Sequence, residues 1–106
     1  MDKTIKVKTK EICKMMGWKL TWFDYLFYTW KLRIRYDTNT QIKIIRHIWV
    51  KKGWKIGIVD MNTTTIDYGN GPQKRKYNGK NCDDILAALF DTLYEVAKHN
   101  NTMSTI

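Results

Sequence analysis

Residues 28–36 read YTWKLRIRY. Tyr28, Trp30, Leu32, Ile34 and Tyr36 alternate with Thr29, Lys31, Arg33 and Arg35. Side chains on a strand point to opposite faces in turn, so nine residues of period two predict a strand with one apolar and one cationic face. Such a strand needs neighbours, and the next segments supply them. Asp37-Thr38-Asn39-Thr40 reads as a turn. A second strand is expected over 41–50, with Ile42, Ile44, Arg46, Ile48 and Val50 on one side and Gln41, Lys43, Ile45, His47 and Trp49 on the other. Lys51-Lys52-Gly53 turns the chain into a third, where Trp54, Ile56 and Ile58 alternate with Lys55, Gly57 and Val59. A fourth, weaker strand is expected over 64–68. The links are too short for crossovers, so the pairing should be antiparallel.

Helices flank this sheet. Thr9 can cap a brief one, with Glu11 in its first turn, Ile12, Met15 and Met16 facing inward and Gly17 ending it. Ahead of it, residues 1–8 read as a short strand or basic arm. Near the other end, Asn81 caps a stronger helix, Asn81–His99. Asp83 and Asp84 stand in its first turn and Lys98 and His99 in its last, as the macrodipole prefers. Ile85, Leu86, Leu89, Phe90, Leu93, Val96 and Ala97 form its apolar stripe. The tail after Asn100 is expected to fray. The fold class predicted is α+β: a three- to four-stranded antiparallel sheet, a C-terminal helix packed on one face, and a short N-terminal helix. With 106 residues and 43% apolar content, one domain over 1–106 is expected.

Charge narrows the partners. The chain carries 19 Lys and Arg against 10 Asp and Glu, a net +9. All but Lys98 of the basic residues precede residue 81. A basic body with an acidic terminal helix points to an anionic partner: an acidic host protein or nucleoprotein complex, or nucleic acid directly. Lys31, Arg33, Arg35, Lys43, His47 and Lys55 gather on one expected sheet face, with Trp49 as its accessible aromatic. A second candidate is the loop 69–80, where Lys74, Arg75, Lys76 and Lys80 surround Tyr77 and can grip phosphates.

Residues 18–30, WKLTWFDYLFYTW, hold seven of the chain's 14 aromatics. Such a stretch is more often core than surface, so Trp18, Trp22 and Phe23 are expected to be mostly buried. It packs either at the sheet edge, leaving the cationic face open, or across that face as a further layer.

No catalytic constellation is legible. His99 reads as a dipole charge, His47 sits among cations, and Asp24, Asp60 and Asp67 are single acids near turns. The loop GNGPQKRKYNGKN lacks the P-loop spacing, since Lys74 stands where its first glycine belongs and Asn81 where Ser or Thr would hold magnesium. No RNP1 run and no metal-ligand spacing occurs. Cys13 and Cys82 lie far apart and read as reduced cytosolic residues. No leader, membrane span, cofactor or enzymatic activity is expected.

The residues ICKMMGWKLTW (12–22) and DDILAALFDTL (83–93) carry a resemblance. A short helix ending in Met-Gly-Trp, then strands, then an Ala/Leu-rich terminal helix resembles small phage proteins of the ABA-sandwich type. The second helix of that type, between the Gly-Trp and the sheet, would have to be 19–27. The resemblance implies a phage or mobile-element accessory protein that binds and blocks host machinery, as anti-CRISPR and other anti-defence inhibitors do. A free-standing nucleic-acid binder of low sequence specificity is the alternative.

Overall fold

A computed structural model describes residues 3–60, 63–69, 72–76 and 85–104, with the backbone alone at 72–76, 103 and 104. The chain is mostly helical, and this corrects the expected fold class. In order come α1 (Lys3–Met16), α2 (Trp22–Phe27), a 3-10 helix (Trp30–Tyr36), α3 (Thr38–Lys52), β1 (Lys55–Asp60), β2 (Thr63–Asp67), β3 (Pro72–Lys76) and α4 (Ile85–Ser104). Neither 28–36 nor 41–50 is a strand.

Of the period-two residues at 28–36 only Leu32 and Ile34 are buried, and the backbone is not a strand. Leu32 and Ile34 are buried in the core, Arg33 between them is exposed, and Lys31 and Arg35 are half-buried along a 3-10 helix. At three residues per turn, positions two apart do not share a face. Lys31, Arg33 and Arg35 therefore cannot form the common cationic face expected of a strand.

Segment 38–52 is helical because both of its ends are capped and its apolar spacing is also helical. The Asp37 carboxylate accepts from the Asn39 backbone N–H at 3.1 Å and from the Thr40 hydroxyl at 2.7 Å. What reads as a turn is thus an N-cap. Gly53, at φ 71°, closes the other end by donating its N–H to the Trp49 carbonyl at 2.9 Å. Gln41, Ile44 and Ile48 fall on one helix face and are buried. The isoleucines lower helix propensity, but burial of this stripe outweighs fractions of a kcal/mol per residue.

α1 begins at Lys3, so residues 3–8 are helix and neither strand nor arm. Thr9 is buried inside it rather than capping it. Gly17, at φ 73°, ends it as expected, and the Trp18 N–H returns to the Cys13 carbonyl at 2.9 Å.

What sheet there is consists of the antiparallel hairpin β1–β2, Ile56 opposite Ile66 and Lys55 opposite Asp67, with β3 antiparallel along β2. β3 falls inside the expected loop 69–80 and corrects it. Tyr77, Lys80, the Asn81 cap, Cys82, Asp83 and Asp84 lie outside the described residues, as do the side chains of Lys74, Arg75 and Lys76.

α4 is the spine of the core. Leu89, Phe90, Leu93, Val96 and Ala97 are buried, and Phe90, Leu93, Val96 and Ala97 form one cluster with Ile12 and Cys13 of α1, Ile34, Ile44 and Ile48, and Ile66 of β2. Each such large side chain contributes roughly 1.5–3 kcal/mol by leaving water. Polar ties fix the elements. Gln41 donates to the carbonyls of Ile34 (2.9 Å) and Leu86 (3.1 Å), joining α3, the 3-10 helix and α4. The hydroxyls of Thr64 and Thr92 meet between β2 and α4. Lys8 pairs with Asp91 at 2.6 Å between α1 and α4. The expected frayed tail is instead helical to Ser104, with Asn100 and Asn101 buried and Asn101 donating to the Glu11 carboxylate at 2.7 Å. His99 consequently lies within the helix, where its ring packs on Tyr68 at 4.4 Å and Trp54 at 5.4 Å.

Candidate interaction surface

The aromatic stretch faces solvent. Trp22 is 73% exposed, and Phe23, Leu26 and Phe27 are each more than half exposed. Burial was the expectation for Trp22 and Phe23, and it is corrected here; Trp18 is half-buried. The reason is Asp24. This buried carboxylate accepts from the Thr21 backbone N–H at 2.8 Å, the Thr21 hydroxyl at 3.2 Å and the Thr29 hydroxyl at 2.7 Å. It therefore clips both ends of the six-residue helix α2. With Asp24 turned inward, the remaining side chains of one and a half turns point outward. The Thr21 backbone bond, then the Thr29 hydroxyl, hold the Asp24 pKa below the ordinary aspartate value, with a smaller contribution from nearby Lys31. The rings support one another, Phe23 on Phe27 at 4.5 Å and Trp22 on Phe23 at 6.0 Å.

Beside this patch runs a basic stripe absent from the sequence reading. Lys3, Lys6, Lys10 and Lys14 recur every three or four residues along α1 and all are exposed. They occupy a face that adjoins the buried one of Thr9, Ile12 and Cys13. The 3/6/10/14 spacing is visible in the sequence once residues 3–8 are assigned to the helix. The Lys6 ammonium lies 5.0 Å from the Tyr25 ring centre. Between α1 and α2 opens a cleft of about 640 Å³ lined by Lys10, Lys14, Lys19, Trp18 and Tyr25, with Cys13 at its floor. Burial pushes the Cys13 thiol up to about 11, so it stays protonated at neutral pH and serves as a small apolar residue.

The expected site residues are dispersed. Lys31 is half-buried, 2.9 Å from the Lys19 carbonyl and 3.7 Å from the Asp24 carboxylate, so it supports the α2 turn. Lys31 and Lys43 both approach the Trp30 ring, at 5.9 and 6.0 Å. Arg35 lies over Tyr36 at 5.1 Å, Arg33 is exposed, and His47 is half-buried on α3. Trp49 is accessible, as expected, at 59% exposure. It shares a cavity with Lys55, Ile45 and Ile56.

Three lysines around two rings, next to an apolar projection, can neutralise an anionic surface and cover flat apolar groups at once. Among the described residues, no group of three or more His, Cys, Asp or Glu side chains is placed to hold a metal ion. No helix among them is long and apolar enough to cross a membrane. No protein-family model, no curated protein and no solved structure matches the chain.

Proposed function

We propose that the chain is a non-enzymatic binding protein of phage or mobile-element type. It acts in the host cytoplasm as an inhibitor of nucleic-acid-handling or defence machinery, in the manner of anti-CRISPR proteins. The observation that supports this most is the pairing of the lysine-lined cleft with the exposed α2 patch. Contiguous apolar side chains rimmed by charge mark interaction sites. Lys10, Lys14 and Lys19 supply complementarity to an acidic host protein. Trp22, Phe23, Leu26 and Phe27 supply the apolar anchors that a protein interface buries at its centre. A bare phosphate backbone would leave Leu26 and Phe27 wet, which favours a protein or nucleoprotein target.

A second reading, direct binding of single-stranded nucleic acid, is favoured by the Tyr25 and Trp18 rings beside those lysines. Base stacking on aromatics with lysines along the backbone binds single strands without sequence preference.

The test is phage plating on hosts carrying active CRISPR or restriction immunity. Expression of the wild-type chain should raise plating of the targeted phage on at least one such host. The double charge reversal Lys10→Glu with Lys14→Glu, folded by circular dichroism, should return plating to the control level. Equal protection by the reversed variant would remove this cleft from the mechanism. Absence of protection on every host, together with salt-sensitive binding of a single-stranded oligonucleotide by the wild type, would favour the second reading.

A further inference from the structure

Helix α3 carries two apolar stripes: one enters the core, and of the other Ile45 packs half-buried against the core's edge while Ile42, Trp49 and Val50 stay exposed. Ile44 and Ile48 are buried with Gln41. Ile42, Ile45, Trp49 and Val50 recur at helical spacing on another face, with Arg46 among them. Ile42 is 51% exposed and Val50 72%. A shallow cavity of about 490 Å³ lies over this stripe. It adjoins a second, of about 200 Å³, walled by Ile45, Trp49, Lys55 and Ile56, so Trp49 stands between the two. The result is a shallow groove along the outer face of α3, bounded at its Trp49 end by Lys55 and Ile56 of β1, with an apolar floor.

Its rim is cationic. Lys43 flanks the stripe on one side and Lys52 and Lys55 on the other, with Arg46 at its middle. Not one acidic residue occurs from Thr38 to Lys55. Asp67 stands opposite Lys55 in the hairpin, and its carboxylate accepts from the Gly69 N–H at 2.8 Å.

We infer that this groove docks an acidic amphipathic helix of a partner protein. The floor selects a row of apolar anchors at i, i+3, i+4 and i+7, the mode by which helices lie in hydrophobic grooves. The stripe from Ile42 to Val50 spans about 12 Å, so two to three turns of partner helix fill it. The rim selects glutamate or aspartate beside those anchors. A second copy of this chain does not fit. Two-fold pairing of the stripe with itself is centred on Arg46 and sets the two guanidinium groups against each other, between molecules of +9 each. The inference rests on the reading of the chain as a protein-binding inhibitor. It uses a face built from α3 and β1, so its variants leave Lys10 and Lys14 intact.

The probe is a fluorescent 16-residue synthetic peptide with leucines at the four anchor positions, glutamates beside them and alanines on the outer face, titrated by anisotropy against the full chain. Saturable binding is expected. It should weaken by about tenfold or more in Trp49→Ala, the loss typical of a central aromatic anchor. Arg46→Glu should weaken it too, and Lys10→Glu with Lys14→Glu should leave it unchanged. Trp49 and Arg46 are exposed, so both variants keep the core, and circular dichroism checks this. Three outcomes overturn the inference: no saturable binding, equal binding of a scrambled peptide of the same composition, or equal binding by Trp49→Ala. Sedimentation of the wild type as a dimer dispersed by Arg46→Glu would also overturn it, in favour of a second copy. Loss of peptide binding in Lys10→Glu with Lys14→Glu alone would move the docking to the α1/α2 cleft.

Discussion

Asp24 decides whether the aromatic side chains of α2 meet solvent. Its carboxylate holds the Thr21 N–H and the Thr29 hydroxyl, so α2 exists as a clipped turn with Trp22, Phe23, Leu26 and Phe27 outside. These bonds favour the ionised form and depress the folded pKa. A depressed folded pKa means the carboxylate stabilises the fold fully above its unfolded pKa, near 3.8. That contribution is lost as pH falls through the lower folded value. Asp37, whose pKa is lowered chiefly by the Thr40 hydroxyl, acts with the same sign at the α3 cap. Urea midpoints measured from neutral pH to below pH 4 should therefore fall on acidification in the wild type. In Asp24→Asn the midpoint should start lower and fall less. An Asp24→Asn profile parallel to the wild type would show that this carboxylate does not clip α2.

At the scale of elements, the chain is legible where local and tertiary signals agree. The α4 stripe through Leu89, Phe90, Leu93 and Val96 is readable from its period and does face the core. Leu89→Ala should cost about 2–5 kcal/mol in denaturant unfolding, the range for large-to-small core changes. An unchanged midpoint would mean α4 is not docked. β1 and β2 are also readable from alternation. The misread segments are those where two periods coexist. In 28–36 an alternating pattern is satisfied by a 3-10 helix whose Leu32 and Ile34 are both buried. In 41–50, apolar residues at 42, 44–45 and 48–50 fit either a two-sided strand or a two-striped helix. Here Asp37 and Gly53 decide, because their capping roles require helix between them. The candidate surface was less legible still. Lys10, Lys14 and Lys19 converge only because Gly17 turns the chain and Asp24 folds α2 back beside α1. The Lys10/Lys14 spacing is readable once 3–8 is assigned to the helix, but no spacing in the sequence records that Lys19 and Tyr25 join them.

At the scale of the molecule, the cationic excess and the exposed aromatics are separate in sequence and joined in space. Helices α1, α3 and α4 and the 3-10 helix bury one core, and the hairpin covers one side of α4. Among the described residues, Trp22, Phe23, Leu26 and Phe27 of α2 and Lys3, Lys6, Lys10 and Lys14 of α1 stay exposed. Positive charge gathered at one cleft repels itself and contributes little to folding, so a partner is its simplest use. The most direct measurement is quantitative capture from nuclease-treated host lysate by the tagged chain, wild type against Lys10→Glu with Lys14→Glu, at low and at high salt. Capture of one defined acidic protein is predicted for the wild type at low salt, weakened at high salt chiefly through slower association, and absent in the reversed variant. Undiminished capture of that protein by the folded variant at low salt would contradict the account.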